Sequence, residues 1–195
     1  MVLGVGVFAG WRLWTSTRNF VPLDVPIALR AGETLTHEFR LNLDGLYLIE
    51  ITAEPTLPPE TLRCLMGAQA DAAKCAGLAP AIAADWTVFR SGQQIRSGNS
   101  SEAHTAPAPD DSRTVVRVIG EFPGEAGRDY RLQITTTADG SQLEPAHPRL
   151  CVVVSNLART DFQSASVLVF SITFICVMFG AILLGIARFA SRQGS

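Results

Sequence analysis

The sequence is poor in histidine and lysine, and it lacks the common catalytic motifs. Its three histidines, His37, His104 and His147, stand far apart and lack the HxH or HExxH spacing of metal sites. The chain contains no GxSxG, GxGxxG or P-loop motif. We therefore expect no enzyme activity, no cofactor and no bound metal. A hydrolase built from dispersed Ser, His and Asp is the least favoured alternative, because a triad is recognised by geometry and not by order.

The middle of the chain lacks an excess of basic residues. All eighteen acids lie between Asp24 and Asp161, and twelve of the sixteen basic residues share that span, which therefore carries a formal charge of −6. A nucleic-acid-binding domain needs a basic patch or stripe, so nucleic acid is not an expected partner. The single lysine against fifteen arginines is a coding bias typical of a GC-rich, bacterial genome.

Charge is entirely absent from residues 162–187, which contain no Asp, Glu, Lys, Arg or His. About twenty apolar residues in a helix span the hydrocarbon core of a bilayer. The run predicts a single transmembrane helix over residues 161–188. The alternative, a buried core helix of a soluble protein, is disfavoured because such helices rarely run this long without a polar stripe.

Two arginines, Arg188 and Arg192, follow the run, and no acid does. The positive-inside rule places residues 189–195 in the cytoplasm and the larger part of the chain on the other side. We expect a single-pass protein of the cell (inner) membrane with a periplasmic or otherwise extracytoplasmic domain. Arg188 and Arg192 are then expected at the membrane interface.

Small residues mark one side of the predicted membrane helix. They are Thr173, Cys176, Gly180, Ala181 and Gly185. Small side chains allow two helices to approach closely, so this side is a candidate helix-packing face. The alternative is a lipid-facing helix with incidental glycines. Because the run contains no ionisable residue, it is not expected to conduct ions or protons by itself.

The first nineteen residues are apolar up to Gly10 and then carry Trp11, Arg12 and Trp14. Tryptophan and a snorkelling arginine suit a membrane interface. A secretory signal would begin with basic residues, which are missing here. Three interpretations of residues 1–19 remain open: a short membrane helix, an interfacial helix and a signal anchor.

Residues 20–160 alternate apolar and polar side chains with period two, as in THEFRLNLDGLYLIEIT. This pattern predicts strands, and Asp44-Gly45 predicts a two-residue hairpin turn between two of them. Pro26 predicts an edge strand, because proline has no N–H to donate. Seven or eight strands predict a mainly β fold, a single antiparallel β-sandwich that is immunoglobulin-like or jelly-roll-like.

One segment, residues 58–79, interrupts the strand pattern and predicts a small helical insertion. Pro58, Pro59 and Gly67 are typical helix boundaries. In an oxidising compartment Cys64 and Cys75 predict a disulfide, with a metal or redox pair as the rival. Cys151, on an outward-facing strand position, and Cys176, in the membrane run, are expected to be free. The insertion either caps the core or contacts another subunit.

These observations predict a non-catalytic accessory or structural subunit of a larger membrane protein complex, for which respiratory and photosynthetic complexes are possible settings. The expected partners are other membrane-protein subunits and the lipid bilayer. The alternative is a tethered ligand-binding or adhesive surface domain that uses the loops at residues 91–97 and 103–111, because function concentrates in loops on a rigid scaffold.

Overall fold

A computed structural model of the chain describes residue 10 and residues 19–67, 72–75, 77–101 and 114–193. Contacts divide the chain into two compact units. One unit comprises residues 19–155, and the other combines residues 1–18 with residues 156–195. All of the described strands belong to the first unit.

The first unit is mainly β and contains two antiparallel sheets of four strands each. The strands are β1 (Leu23–Pro26), β2 (Thr34–Arg40), β3 (Gly45–Ala53), β4 (Ala84–Arg90), β5 (Gln93–Asn99), β6 (Val115–Gly124), β7 (Asp129–Thr136) and β8 (Arg149–Val154). Sheet 1 has the order β1-β8-β3-β6, and sheet 2 has the order β2-β7-β4-β5. The predicted edge position of the Pro26 strand is confirmed, because β1 forms one edge of sheet 1.

The predicted hairpin at Asp44-Gly45 is wrong. β2 pairs with β7, whereas β3 pairs with β6 and β8, so this connection crosses from one sheet to the other. A type I′ turn needs positive φ at both central residues, and among the described non-glycine residues only Ser91 and His147 have it. Asp44 instead accepts a hydrogen bond on Oδ1 from the N–H of Ala126, 2.7 Å away, which holds the crossing in place.

A hairpin at Arg90-Ser91-Gly92 connects β4 to β5. Ser91 (φ 51°) and Gly92 (φ 80°) are the turn residues between β4 and β5. Among the described strands, this is the one connection that joins consecutive strands of the same sheet. Every other connection crosses between the sheets, so residues distant in sequence become neighbours.

Four aromatic side chains join the two sheets in the core. Phe39 and Tyr130 come from sheet 2, and Tyr47 and Phe122 come from sheet 1. The ring centroids of Phe39 and Phe122 are 6.3 Å apart, and those of Phe122 and Tyr130 are 5.7 Å apart. Contacts of this kind add to the stabilisation by buried area. The inner faces of the sheets therefore pack on each other, as in a β-sandwich.

The predicted insertion contains a short helix, α1 (Pro59–Met66), and a 3₁₀ helix (Ala72–Cys75). Proline begins α1, and Gly67 ends it with φ 66°, a left-handed conformation that glycine adopts without strain. The predicted disulfide between Cys64 and Cys75 is confirmed, with a Cα–Cα distance of 5.5 Å. It closes the insertion into a small loop.

Arg117 fastens this insertion to sheet 1. Its guanidinium donates hydrogen bonds to the carbonyls of Met66 (2.9 Å) and Ser100 (3.0 Å). Burial lowers the pKa of Arg117 from its ordinary value, because the charged form loses solvent. A cation at the last turn of α1 is favourable because carbonyl groups point outward there.

A long helix, α2 (Asn156–Gln193), follows the first unit. It contains the whole uncharged run of the sequence. Within the described residues, no helix combines the length and apolar character needed to cross a membrane.

Candidate functional site

A cleft of about 530 Å³ lies at the end of sheet 1 where β1 ends and β8 begins. We call it the edge cleft. Small-molecule sites typically have volumes of about 300–1,000 Å³. Its lining consists of an apolar part and a polar part: Pro26, Ile27, Ala28 and Pro148, with Glu54, Glu144, His147 and Arg149.

Hydrogen bonds connect the three chain segments that form the edge cleft. The Ile27 N–H donates to the Pro148 carbonyl (3.1 Å), and the Glu54 N–H donates to the Ala146 carbonyl (2.7 Å). The hydroxyl of Thr56 donates to the carbonyl of Pro145 at 2.7 Å. These bonds connect the end of β1, the segment after β3 and the 3₁₀ helix Ser141–Ala146 that precedes β8. The cleft therefore has a preformed shape.

Two ion pairs position charges at the rim of the edge cleft. Arg30 donates to Glu144 Oε1 from both Nε and a terminal nitrogen, each at 3.2 Å. Arg149 donates from Nε to Asp24 Oδ1 at 2.6 Å and from a terminal nitrogen to the Asp24 carbonyl at 3.1 Å. The Asp24 carboxylate raises the pKa of Arg149. Exposed pairs contribute little to stability, so their main effect is to hold the side chains in place.

His147, in the polar lining, has an unusual backbone conformation. Its φ is 45°, in the left-handed region, and Pro148 follows it. A residue before proline prefers extended conformations, which makes this geometry more costly. Strained non-glycine residues occur preferentially at functional sites. The strain therefore marks the edge cleft as a candidate binding site.

A thiol adjoins this cleft on the outer face of sheet 1. Cys151 is opposite Asp24 on β1 and opposite Glu50 on β3. Its Sγ lies 3.5 Å from Asp24 Oδ1 and 3.8 Å from Thr52 Oγ1. Burial, with a smaller contribution from Asp24, raises the pKa of Cys151 to about 11. The group is a protonated thiol at neutral pH and a poor nucleophile.

A smaller cleft of about 190 Å³ lies on the outer face of sheet 2. We call it the face cleft. It is lined by Glu38, Phe89, Ser91, Gly92, Asp129, Tyr130 and Arg131. The guanidinium carbon of Arg131 is 4.6 Å from the ring centroid of Phe89, a cation–π contact. Ser91 is the second described non-glycine residue with positive φ, and it too lines a cleft.

The residues of the predicted helix-packing face differ in exposure along α2. Thr173 and Gly180 are half-buried, whereas Cys176 and Ala181 are exposed. The hydroxyl oxygen of Thr173 is enclosed and has no hydrogen-bond partner among the described residues. The surroundings of Gly185 lie outside the described residues.

The predicted interface residues also lie outside what the structure describes. Trp11, Arg12 and Trp14 belong to a segment that is not described, and the side chains of Arg188 and Arg192 are likewise outside the described part. The same holds for the whole predicted loop at residues 103–111. The predicted disulfide, Cys64 with Cys75, lines neither cleft.

Neither cleft follows from local sequence. The polar lining of the edge cleft comes from segments around residues 54 and 147, which meet only because β3 pairs with β8. His147 was noted in the sequence only as one of three scattered histidines, and no local pattern indicates its positive φ. One local pattern did point to a cleft. The Arg-Ser-Gly sequence at residues 90–92 is typical of a turn, and it follows Phe89, which lines the face cleft.

Comparisons with known proteins leave the chain unassigned. No protein-family model matches it, and no curated protein matches it. Similar solved structures include a crystal structure of a protein from Sulfurospirillum deleyianum, with 11% identity, coverage of 69% of this chain and 97% of that chain, and a TM-score of 0.49. A family 35 carbohydrate binding module from an environmental isolate has 12% identity, coverage of 72% and 90%, and a TM-score of 0.29. Scores this low do not extend the properties of either protein to this chain.

Proposed function

We propose that the chain is a non-catalytic accessory subunit of a larger membrane assembly, with residues 19–155 as an extracytoplasmic β-sandwich and α2 as its anchor. One observation carries the proposal. Large apolar side chains of α2 are 44–66% exposed: Val167, Leu168, Phe170, Ile172, Phe174, Ile175, Met178, Phe179 and Ile182.

That exposure is unfavourable in water. Burying one such side chain is worth about 1.5–3 kcal/mol relative to leaving it exposed. A continuous apolar surface of this size marks a protein or membrane contact. The absence of charge from residues 162–187 favours lipid as the main surroundings, because apolar residues near a helix centre favour insertion.

The flanking charges and the disulfide support the orientation. Arg188 and Arg192 lie beyond the apolar run and belong on the cytoplasmic side under the positive-inside rule. The Cys64–Cys75 bond then lies in the first unit on the opposite side, where disulfides persist. Both features favour an extracytoplasmic sandwich.

We infer a jelly-roll arrangement for the sandwich. Its two sheets have the orders β1-β8-β3-β6 and β2-β7-β4-β5, in which the first and last strands are neighbours and nearly all connections cross between sheets. Eight strands in two four-stranded sheets fit this architecture. An immunoglobulin domain would have seven to nine strands distributed differently between its sheets.

The edge cleft favours a second candidate, a tethered ligand-binding domain. Its volume, its partly apolar lining and the strained His147 are features of a small-ligand site. The two candidates are compatible, because an accessory subunit can carry a ligand.

Fractionation and copurification test the proposal. The full chain, tagged after residue 195, is expressed at native level and membranes are washed with alkaline carbonate. We expect the chain to stay in the membrane pellet, and we expect purification in mild detergent to recover other membrane proteins in fixed ratio. A matched variant with Phe174, Ile175 and Phe179 changed to Lys should leave the pellet. Release of the unmodified chain by carbonate contradicts the anchor, and recovery as a free monomer contradicts the accessory role.

A further inference from the structure

The outer face of sheet 1 carries apolar side chains where a sandwich usually meets water. Residues that stand directly opposite one another in paired strands point to the same side of a sheet. The positions that alternate with the buried Tyr47, Ile49 and Ile51 of β3, and the positions opposite them on β6 and β8, therefore point outward. Most of these are apolar, and we call them the apolar face: Leu46, Leu48, Val116, Val118, Cys151 and Val153.

The outer face of sheet 2 provides an internal comparison. Across its three paired strands, Thr36, Gln133 and Thr87 stand opposite one another and are polar. An antiparallel sheet with one face in water shows this clean alternation, whereas a strand covered on both faces reads as a continuous apolar run. Residues 150–154 of β8, LCVVV, form such a run. The sequence of sheet 1 is therefore that of a sheet covered on both sides.

The described chain leaves part of the apolar face uncovered. Leu46 is 36% exposed, and Leu48, Val116 and Val153 are half-buried. Contiguous apolar side chains that remain accessible on a folded domain mark an interaction surface. Room therefore remains for a further contact on this side of the sheet.

Glu50 lies in the middle of the apolar face. It stands opposite Cys151 on β8 and Val118 on β6, which are 7% and 9% exposed. Glu50 is half-buried, and within the described residues it has neither an ion pair nor a hydrogen bond. Burial raises its pKa, which shows that the charged form loses solvent there. The carboxylate therefore lacks a compensating cation.

The other charged groups of this outer face do not supply that cation. Arg149, opposite Thr52, donates its hydrogen bonds to Asp24. Glu121, opposite Leu48, is exposed and adds a second negative charge. The charge that complements this surface is therefore positive.

This charge pattern distinguishes between the possible occupants of the apolar face. Hydrocarbon is disfavoured, because an ionised carboxylate is costly to bury in an apolar medium. A second copy of the chain is disfavoured as well, because a two-fold contact uses the same patch on both copies and would bring two Glu50 carboxylates together. A different protein with a basic side chain satisfies both the apolar residues and Glu50.

We propose that the apolar face docks another protein subunit, which presents an arginine or lysine to Glu50 and apolar side chains to the residues around it. The inference rests on the proposed accessory role and names the surface that contacts the partner. Glu50 then lowers the stability of the free chain and is compensated in the complex. A charge pair of this kind fixes the register of an interface and rejects wrong partners.

Site-specific photocross-linking of the full chain in native membranes tests the docking. The photoreactive residue p-benzoylphenylalanine replaces Leu48 on the apolar face or, as the matched control, Thr36 on the outer face of sheet 2. Adducts are identified by mass spectrometry of the cross-linked peptides. Each chain is also prepared with Glu50→Gln, which removes the charge and keeps the shape. The Cys64–Cys75 peptide in non-reduced digests reports that the chain has folded.

We expect one protein adduct from Leu48 and none from Thr36. Glu50→Gln should lower the Leu48 adduct about five-fold or more, because the partner's cation then stays buried without its carboxylate. Since Glu50→Gln is expected to stabilise the free chain, this loss cannot be assigned to unfolding. Charge exchange is the second test: Glu50→Lys should abolish the adduct, and changing the basic residue found in the partner's cross-linked peptide to Glu should restore it.

Four outcomes would overturn the docking surface: equal adducts from Leu48 and Thr36, adducts with lipid alone, dimers of this chain, and an adduct that is indifferent to Glu50→Gln. Copurification in mild detergent separates this result from the accessory role. Subunits that copurify in fixed ratio without any Leu48 adduct contradict the surface alone. Recovery of the unmodified chain as a free monomer contradicts the accessory role itself.

Discussion

The indole Nε1 of Trp86 donates a hydrogen bond of 2.8 Å to the backbone carbonyl of Ile119. Trp86 lies on β4 and Ile119 on β6, so this bond connects the inner faces of the two sheets. Both residues are buried, at 5% and 1% exposure. The bond therefore stabilises the packing of one sheet on the other.

Trp86→Phe should lower the free energy of unfolding by about 1–3 kcal/mol, because the Ile119 carbonyl stays buried without its donor. The measurement is urea unfolding of the full chain in detergent, followed by circular dichroism of the strands. Trp11→Phe controls for the loss of a tryptophan outside the first unit. A change below about 0.5 kcal/mol, the range of ordinary surface substitutions, would contradict this role.

Gly120→Ala should also lower the free energy of unfolding by about 1–3 kcal/mol, because the added methyl group overpacks the core. A Cβ at Gly120 would clash with Cε2 and Cζ2 of Trp86 and would lie 2.7 Å from its Nε1. Because phenylalanine lacks these indole atoms, Trp86→Phe should relieve part of the cost. Unfolding of the double variant is expected to show a coupling of about 0.5–3 kcal/mol. Strictly additive losses would show that the clash is with another group.

Reduction of the Cys64–Cys75 disulfide should destabilise the first unit by about 2–3 kcal/mol, because the bond closes a short loop and restricts the unfolded chain. The two cysteines are 11 positions apart in sequence. The measurement compares urea midpoints with and without reductant. In the control Cys64→Ser/Cys75→Ser the midpoint should not respond to reductant. A response in that variant would assign the effect to Cys151 or Cys176.

Glu50 should make stability fall as pH rises. Burial raises the pKa of Glu50, so the folded chain binds the proton more tightly than the unfolded chain. The free energy of unfolding therefore decreases between the ordinary pKa and the raised pKa, and the loss is complete above both. Glu50→Gln should be more stable than the unmodified chain at pH 7, and the difference should shrink as the pH falls below the ordinary value. Urea unfolding at several pH values measures this, with the exposed Glu38→Gln as control. A difference that grows on acidification would contradict it.

His147→Gly should be more stable than His147→Ala by about 1 kcal/mol, because glycine adopts positive φ freely and alanine does not. The observed φ is 45°. Thermal unfolding of the two variants isolates the backbone cost, since both remove the imidazole. Equal stability would mean that the segment relaxes and that the edge cleft is not strained.

Local patterns predicted the individual elements well. Pro58, Pro59 and Gly67 placed α1 almost to the residue, because proline and glycine act on their own backbone. Pro26 correctly indicated an edge strand, because a missing N–H matters wherever the strand lies. The disulfide followed from two nearby cysteines.

The pairing of the strands was harder to predict from the sequence. The alternation around Asp44-Gly45 predicted two strands correctly but assigned them to one hairpin. An alternation of apolar and polar residues shows which side chains of a strand share a face. It does not show the pairing partner, because two apolar faces can meet either within a hairpin or across two sheets. The edge cleft was missed for the same reason, since its polar residues meet only after β3 has paired with β8.

The sequence by itself determined the strands, the capped helix, the disulfide and the uncharged apolar run, because each depends on short-range chemistry or on a continuous stretch of one polarity. Only the tertiary structure decided the two sheet orders and the strained position of His147. Those features depend on contacts between residues far apart in the chain, and such contacts are selected by the packing of the whole unit rather than by any local pattern.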